Sequence, residues 1–213
     1  MHRQVLTRLV LFGCAAALLA ACSGLSHDRA KPTTKGTYDK TTGKLTQIAS
    51  DRNRNGKIDT WTDMDGTRPL RSRIDLDEDG KIDRWEYYDA AGALIKVGFS
   101  RKNDGKPDAW AFSRPDGSLE RVEISSTGDE RKIDRREYYE GGVMVRVEED
   151  TNGDGRPDMW ETYDHGTLRT AEFDQDHDGR PDRRLTYSGQ DLVTIESEPD
   201  STGRYTRKDT IQK

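Results

Sequence analysis

One frame returns about every 24 residues, and a period of that length constrains the fold more than any single residue does. Aligned on its glycine, the frame opens at Asp51, Asp75, Ser100, Ser126, Asp150 and Asp174, with a worn copy at Glu198. The steps are 24, 25, 26, 24, 24 and 24 residues. A unit this short cannot bury an apolar face alone and stacks against its neighbours instead. Each copy begins with a polar loop and continues into an aromatic segment, as in Trp85-Glu86-Tyr87-Tyr88 or Trp160-Glu161-Thr162-Tyr163. A short turn follows, such as Glu140-Gly141-Gly142 or Asp164-His165-Gly166. A second apolar segment then closes the unit, as in Leu94-Ile95-Lys96-Val97-Gly98-Phe99.

Both segments alternate and favour aromatic and β-branched residues, with glycine-containing turns between them, which is the pattern of one hairpin per repeat. Helix is disfavoured, because the segments are only about six residues long and Gly or Pro stands on both sides. The expected fold is all-β: a repetitive antiparallel hairpin meander of about six repeats, curled or solenoid-like, with acidic loops joining the hairpins. Closure of the sheet is left open by the pattern. The half-unit Tyr38-Asp39…Gly43-Lys44-Leu45…Ile48 has no loop before it and reads as an N-terminal cap. Within the second repeat, Trp85 and Tyr87 are expected to face Ile95, Val97 and Phe99 across the sheet's apolar side.

The loops carry the chemistry. Asp75, Asp77, Asp79, Asp83 and Glu86 fall at loop positions 1, 3, 5, 9 and 12, with Gly80 at position 6. That is the ligand order of a calcium loop, in which the carbonyl at position 7, here Lys81, is a further ligand. Position 7 is basic in all five loops that keep the glycine: Lys57, Lys81, Lys106, Arg156 and Arg180. Asp150, Asn152, Asp154, Arg156, Asp158 and Glu161 repeat the set with one amide. Asp174, Asp176, Asp178 and Asp182 lack the twelfth-position acid, and Asp51, Asn53, Asn55 and Asp59 carry less charge. The copy at Ser100 keeps only Asp104 and Asp108, and the copy at Ser126 has lost glycine and order. Two good sites, at Asp75 and Asp150, and two weaker ones are therefore expected. The competing reading is that the loops are plain turns, with Asp and Asn capping their own backbone.

These twelve-residue loops resemble EF-hand loops and, more loosely, the calcium repeats of thrombospondin type 3 and dockerin modules. The resemblance implies calcium as the ion. It stops at the loops: their flanks are strand-like rather than helical, and Pro107, Pro157 and Pro181 occupy position 8, so an EF-hand fold is not expected. The Tyr-Asp-x-x-Gly turns resemble the tyrosine–aspartate repeats of bacterial surface proteins. At the other end, Arg3, Arg8 and the apolar run Leu9 to Ala21 form an export signal too short to span a bilayer. Its exit, Leu19-Ala20-Ala21-Cys22, resembles the lipobox of bacterial lipoproteins. That resemblance implies cleavage before Cys22, acylation of Cys22 with palmitate-type chains, and an envelope location, with Ser23 favouring the outer membrane. The expected organisation is a signal over 1–21, a lipidated tether over 22–37 and the repeat domain over 38–213.

Cleavage there would remove two of the 35 basic residues and none of the 40 acidic ones, leaving a net charge of −7. An acidic chain argues against nucleic acid as partner, which wants a concentrated basic face. Both cysteines, Cys14 and Cys22, would be gone or acylated, which removes thiol chemistry and disulfides. No P-loop, Gly-x-Ser-x-Gly or His-Glu-x-x-His occurs, and acid pairs are too repetitive to define one active site, so an enzyme is not expected. The expected role is a lipid-anchored, calcium-binding scaffold that meets an envelope partner. The alternative is a glycan- or peptidoglycan-binding module that stacks sugars on Trp61, Trp85, Trp110 and Trp160.

Overall fold

A computed structural model describes residues 33–211. Cys22 and the signal lie outside them. The chain forms β1 (Thr34–Tyr38), β2 (Leu45–Ser50), β3 (Thr60–Asp65), β4 (Arg68–Ile74), β5 (Arg84–Tyr88), β6 (Leu94–Phe99), β7 (Ala109–Ser113) and β8 (Leu119–Ile124). It continues with β9 (Arg135–Glu140), β10 (Val143–Glu149), β11 (Met159–Asp164), β12 (Thr167–Phe173), β13 (Arg183–Ser188), β14 (Asp191–Pro199) and β15 (Tyr205–Thr210). Among the described residues all fifteen lie in one antiparallel sheet in strict sequence order, with β1 and β15 as its edges, so the meander is open. The first strand begins at Thr34, inside the stretch expected to be tether.

Alternate connections fall on opposite ends of such a meander. Short turns join the two strands of each hairpin, and the acidic loops join hairpin to hairpin at the other end. Two-residue turns at Gly141-Gly142 and His165-Gly166 hold positive φ at both central positions, the conformation whose twist matches the flanking strands. The last connection, after β14, is only a tight turn. There Asp200 accepts from the N–H groups of Thr202 and Arg204, and the frame expected at Glu198 does not form a loop like the others.

Each of the seven hairpins from β1–β2 to β13–β14 carries one register shift near its turn. Between hairpins, as at β4–β5 and β10–β11, the pairing is regular. This recurring bulge overturns one expectation. Tyr88 pairs with Leu94 but Tyr87 pairs with Lys96, so Ile95 is the extra residue, Trp85 stands opposite Gly98, and Glu86 opposite Val97. One inserted residue moves a side-chain set to the other face. Trp85 and Tyr87 therefore share a face with Lys96 and Gly98, while Val97 and Phe99 lie on the opposite one.

Both faces are consequently part apolar. One carries Ile74, Val97, Ala109, Val147 and Ala171, all buried, with Val147 at 0% exposure. Val147 is flanked by Glu137 on β9 and Glu161 on β11, which accept the hydroxyls of Tyr139 and Tyr163 at 2.9 and 2.7 Å. In a single layer, these long side chains lie over the small apolar ones and keep them from water. The other face carries the four tryptophans. Trp110 is 1% exposed, packed over Gly98, where an added Cβ would meet Pro107 at 3.3 Å and the indole at 3.5 Å. The remaining cover on that face is polar: the Arg121 guanidinium stacks on Phe112 at 3.8 Å and Arg146 on Tyr138 at 4.5 Å.

Candidate metal-binding loops

The loops follow one backbone plan set by two aspartates. The aspartate at position 9 extends the strand ladder: the Asp83 N–H donates to the Ile74 carbonyl, and the Asp83 carbonyl accepts from Ser100 N–H. Its carboxylate folds back onto the start of the loop. Asp59 accepts from Arg52 N–H, Asp83 from Leu76, Asp108 from Arg101, Asp134 from Ser126, Asp158 from Thr151 and Asp182 from Gln175, at 2.6–3.2 Å. This acid is present in all six loops, including the two worn ones, because it closes the loop whether or not an ion is bound. The Ser126 bond also corrects the fourth loop's frame. Ser125, whose N–H donates to Asp108, is the first residue, and the loop runs 125–134, one residue longer than 51–59.

The position-1 aspartate holds the other half. Asp51 takes Arg54 N–H on Oδ1 and Gly56 N–H on Oδ2. Asp150 takes Gly153 and Gly155 in the same way, and Asp174 takes Asp178 and Gly179. Positions 3 and 5 cap the amides two residues on, as Asn53 caps Asn55 and Asp79 caps Lys81. The plain-turn reading is thus realised in the backbone of every loop.

Loop 75–83 departs from the plan at one atom. Asp75 is 6% exposed; its Oδ2 accepts from Gly80 N–H at 3.0 Å, but Oδ1 is buried without a hydrogen-bond partner among the described residues. A buried polar atom left unpartnered costs about 1–3 kcal/mol, and more where the group is charged. In the same loop, ligand oxygens of Asp75, Asp77 and Asp83 lie within 4.8 Å of one another, and the same holds for Asp174, Asp176 and Asp182. Oxygen-only donors, all carboxylate, suit a hard cation such as calcium rather than a thiophilic or imidazole-seeking one. The donor set and the free Asp75 oxygen fit that ion.

The expected ligands divide as follows. Asp75, Asp77 and Asp83 come together, and so do Asp174, Asp176 and Asp182. Asp79 turns its second oxygen to the Lys81 ammonium at 3.2 Å. The Lys81 backbone N–H on Asp79, aided by that ammonium and the Asn103 amide, holds its carboxyl below the ordinary aspartate value. Asp178 caps Arg180 N–H. The loop of Asp150, Asn152, Asp154 and Asp158 gathers no acid triad, because position 3 is an amide and Asp158 is occupied by Thr151 through both N–H and hydroxyl. Arg156 donates its N–H to Asp154. The loop of Asp51, Asn53, Asn55 and Asp59 gathers none either. All-carboxylate triads therefore form at Asp75 and Asp174, while the Asp150 loop offers an amide at position 3 in place of the third acid.

Position 12 belongs to the sheet. Glu86 lies on β5, accepting Arg84 Nε at 2.8 Å and the Tyr88 hydroxyl at 2.7 Å. Glu161 on β11 takes Tyr163, and Glu137 on β9 repeats the arrangement with Arg135 and Tyr139. The tyrosine two residues after each of these acids was a legible signal, since i and i+2 share a face of a strand.

The tryptophans lie on one face, but Trp85 and Trp110 are buried at 8% and 1% exposure, with Trp61 and Trp160 half-buried. What fold and loops together define is an open β-hairpin meander whose hairpins are joined by acidic, cation-type loops. In sequence, no family model matches the chain, and neither does any curated protein. A solved structure of accessory secretory proteins 1, 2 and 3 from Streptococcus pneumoniae is similar over 51% of this chain and 18% of that one, at 13% identity and a TM-score of 0.26. The chain thus spans less than a fifth of that relative's length, and a likeness so slight carries nothing about function.

Proposed function

We propose that this chain is a lipid-anchored scaffold protein of the bacterial envelope whose hairpins are joined by calcium-holding loops. The observation that carries the calcium part is the grouping of Asp75 with Asp77 and Asp83, with one buried Asp75 oxygen left unpartnered. A divalent cation there satisfies that oxygen and offsets the mutual repulsion of the three carboxylates, which one exposed lysine does only weakly. Loop 174–182 is the second site, with both Asp174 oxygens already on backbone N–H groups and therefore the weaker one. The lipid part rests on the lipobox resemblance at Cys22, with the outer membrane as destination. Binding is the role of the molecule in this reading, and no catalytic step is assigned to it.

The sheet's aromatic face gives little to the sugar-stacking alternative, since two of the four indoles, Trp85 and Trp110, are buried. Calorimetric titration of the purified protein with calcium tests the reading. Saturable uptake that Asp77→Ala abolishes at the tighter site is expected; no heat above dilution would sink it. Metabolic labelling with a palmitate analogue, lost in Cys22→Ala, tests the anchor.

A further inference from the structure

Side chains of the acidic loops reach one another, and apart from the Lys102 ammonium on the Ser126 carbonyl they do so mainly through one position. Position 4 takes positive φ in five of them: 64° at Arg54, 61° at Glu78, 51° at Asn103, 81° at Gly153 and 61° at His177. From that left-handed turn three of these side chains reach back into the preceding loop. Glu78 accepts from Asn53 Nδ2 at 2.6 Å and from Asn55 Nδ2, and meets Lys57 Nζ at 3.2 Å. His177 Nδ1 lies 2.9 Å from Asn152 Nδ2. Asn103 donates Nδ2 to Asp77 Oδ2 at 3.2 Å and to Asp79 Oδ2 at 3.4 Å, while its backbone carbonyl accepts the Lys81 ammonium at 3.1 Å. The chemistry is matched each time: an acid over two amides and a lysine in one case, an amide over two acids in another.

This placement deepens the calcium reading and rests on it. We propose that Asn103 is a ligand lent by the following repeat to the cation in loop 75–83, so that the ion ties two repeats together. Calcium takes about six to eight oxygens, and the twelfth-position acid that supplies two of them in an EF-hand-like set is Glu86, already held by Arg84 and Tyr88. The loop is therefore short of oxygens, and Asn103 stands beside two of its carboxylates. An amide turned end for end presents Oδ1 where Nδ2 is now, next to the Asp77 and Asp79 oxygens. Ligand oxygens at about 2.3–2.6 Å from one calcium sit roughly 3 Å from each other, the same spacing as these hydrogen bonds. Asp75 is 6% exposed and its Oδ1 has no hydrogen-bond partner, a second sign, beside the clustering of the acids, that the loop is built to hold a ligand. In loop 51–59 the same position is filled by Glu78 acting on amides, a cation-free version of the same tie.

The test uses the full protein carrying Asp176→Ala, which silences loop 174–182. Calcium affinity is measured by calorimetry for that parent and for Asn103→Gly and Asn103→Asp in the same background. Glycine keeps the left-handed turn without strain, so it removes the amide alone. Asn103→Gly is expected to weaken binding about tenfold, the scale of losing one supporting group at a metal site. Asn103→Asp is expected to bind at least as tightly as the parent. Hydrogen exchange supplies the second readout: calcium should slow the amides of Asp104 and Lys106 in the parent and leave them unchanged in Asn103→Gly. Equal affinity of Asn103→Gly and parent, with Asp79→Ala still impaired, overturns the Asn103 assignment and leaves the calcium loop standing. A parallel loss in Asn103→Asp also overturns it, because the oxygen would then not matter. A parent that takes up no calcium removes the loop reading itself, and this inference with it.

Discussion

In loops 75–83 and 100–108 position 9 and position 5 are both aspartate, yet they have different tasks. Asp108, 3% exposed in a loop that has lost most of its acids, still accepts Arg101 N–H at 2.9 Å. Asp108→Ala should lower stability by about 1.5–3 kcal/mol, the range for a hydrogen bond to a charged group, equally with calcium and with chelator. Asp104→Ala, four residues earlier and exposed, should stay within about 0.5 kcal/mol. Asp79→Ala should cost a little in chelator, where it loses its cap on Lys81, and should reduce the calcium-induced gain. Urea denaturation with and without chelator separates the three. The ligand order was legible in the sequence because carboxylates at alternate positions around a glycine are rare by chance. The closing role of position 9 was legible too, since it persists in worn loops, but a reading that counts only metal oxygens passes over it.

A second prediction at the residue scale concerns tyrosine. Burial, with Glu137 and Glu161 alongside, pushes the Tyr139 and Tyr163 hydroxyls above the ordinary value of 10.0. A raised pKa means the fold favours the neutral phenol. Its contribution is complete below about pH 10 and is lost as pH rises through the folded values. Absorbance at the phenolate band should therefore show two tyrosines that ionise only together with unfolding; free titration of every tyrosine near the ordinary value would contradict the Glu-x-Tyr packing.

Among the elements, the hairpins were legible and their register was not. Alternation, turn glycines and segment length point to strands at almost every place where strands occur. The face assignment fails at Trp85 because each hairpin inserts a bulge, here Ile95, and a period of two is inverted by one residue. Gly98 shows what the true register demands. It lies between Trp85 and Trp110 on neighbouring strands, and a Cβ there meets Pro107 at 3.3 Å. Gly98→Ala should cost about 1–3 kcal/mol, as overpacking does, and shift Trp110 fluorescence to the red as the indole is displaced. An unchanged or raised stability would mean the indole does not close over that glycine.

For the whole molecule, a meander in strict order makes nearly all its contacts between neighbouring strands, so its stability is close to a sum of hairpins and the junctions between them. The junctions are the loops. An ion that binds only the folded loop raises the melting point by mass action. At an affinity of about 10⁻⁴ M, a hundredfold excess of calcium contributes roughly 2.7 kcal/mol, or about 5–10 °C for a chain of this size. Melting of the purified protein in calcium and in chelator is accordingly the most direct measurement. The expected result is a higher midpoint in calcium, reduced by most of the difference in Asp75→Asn; superimposable curves in calcium and chelator would contradict the account.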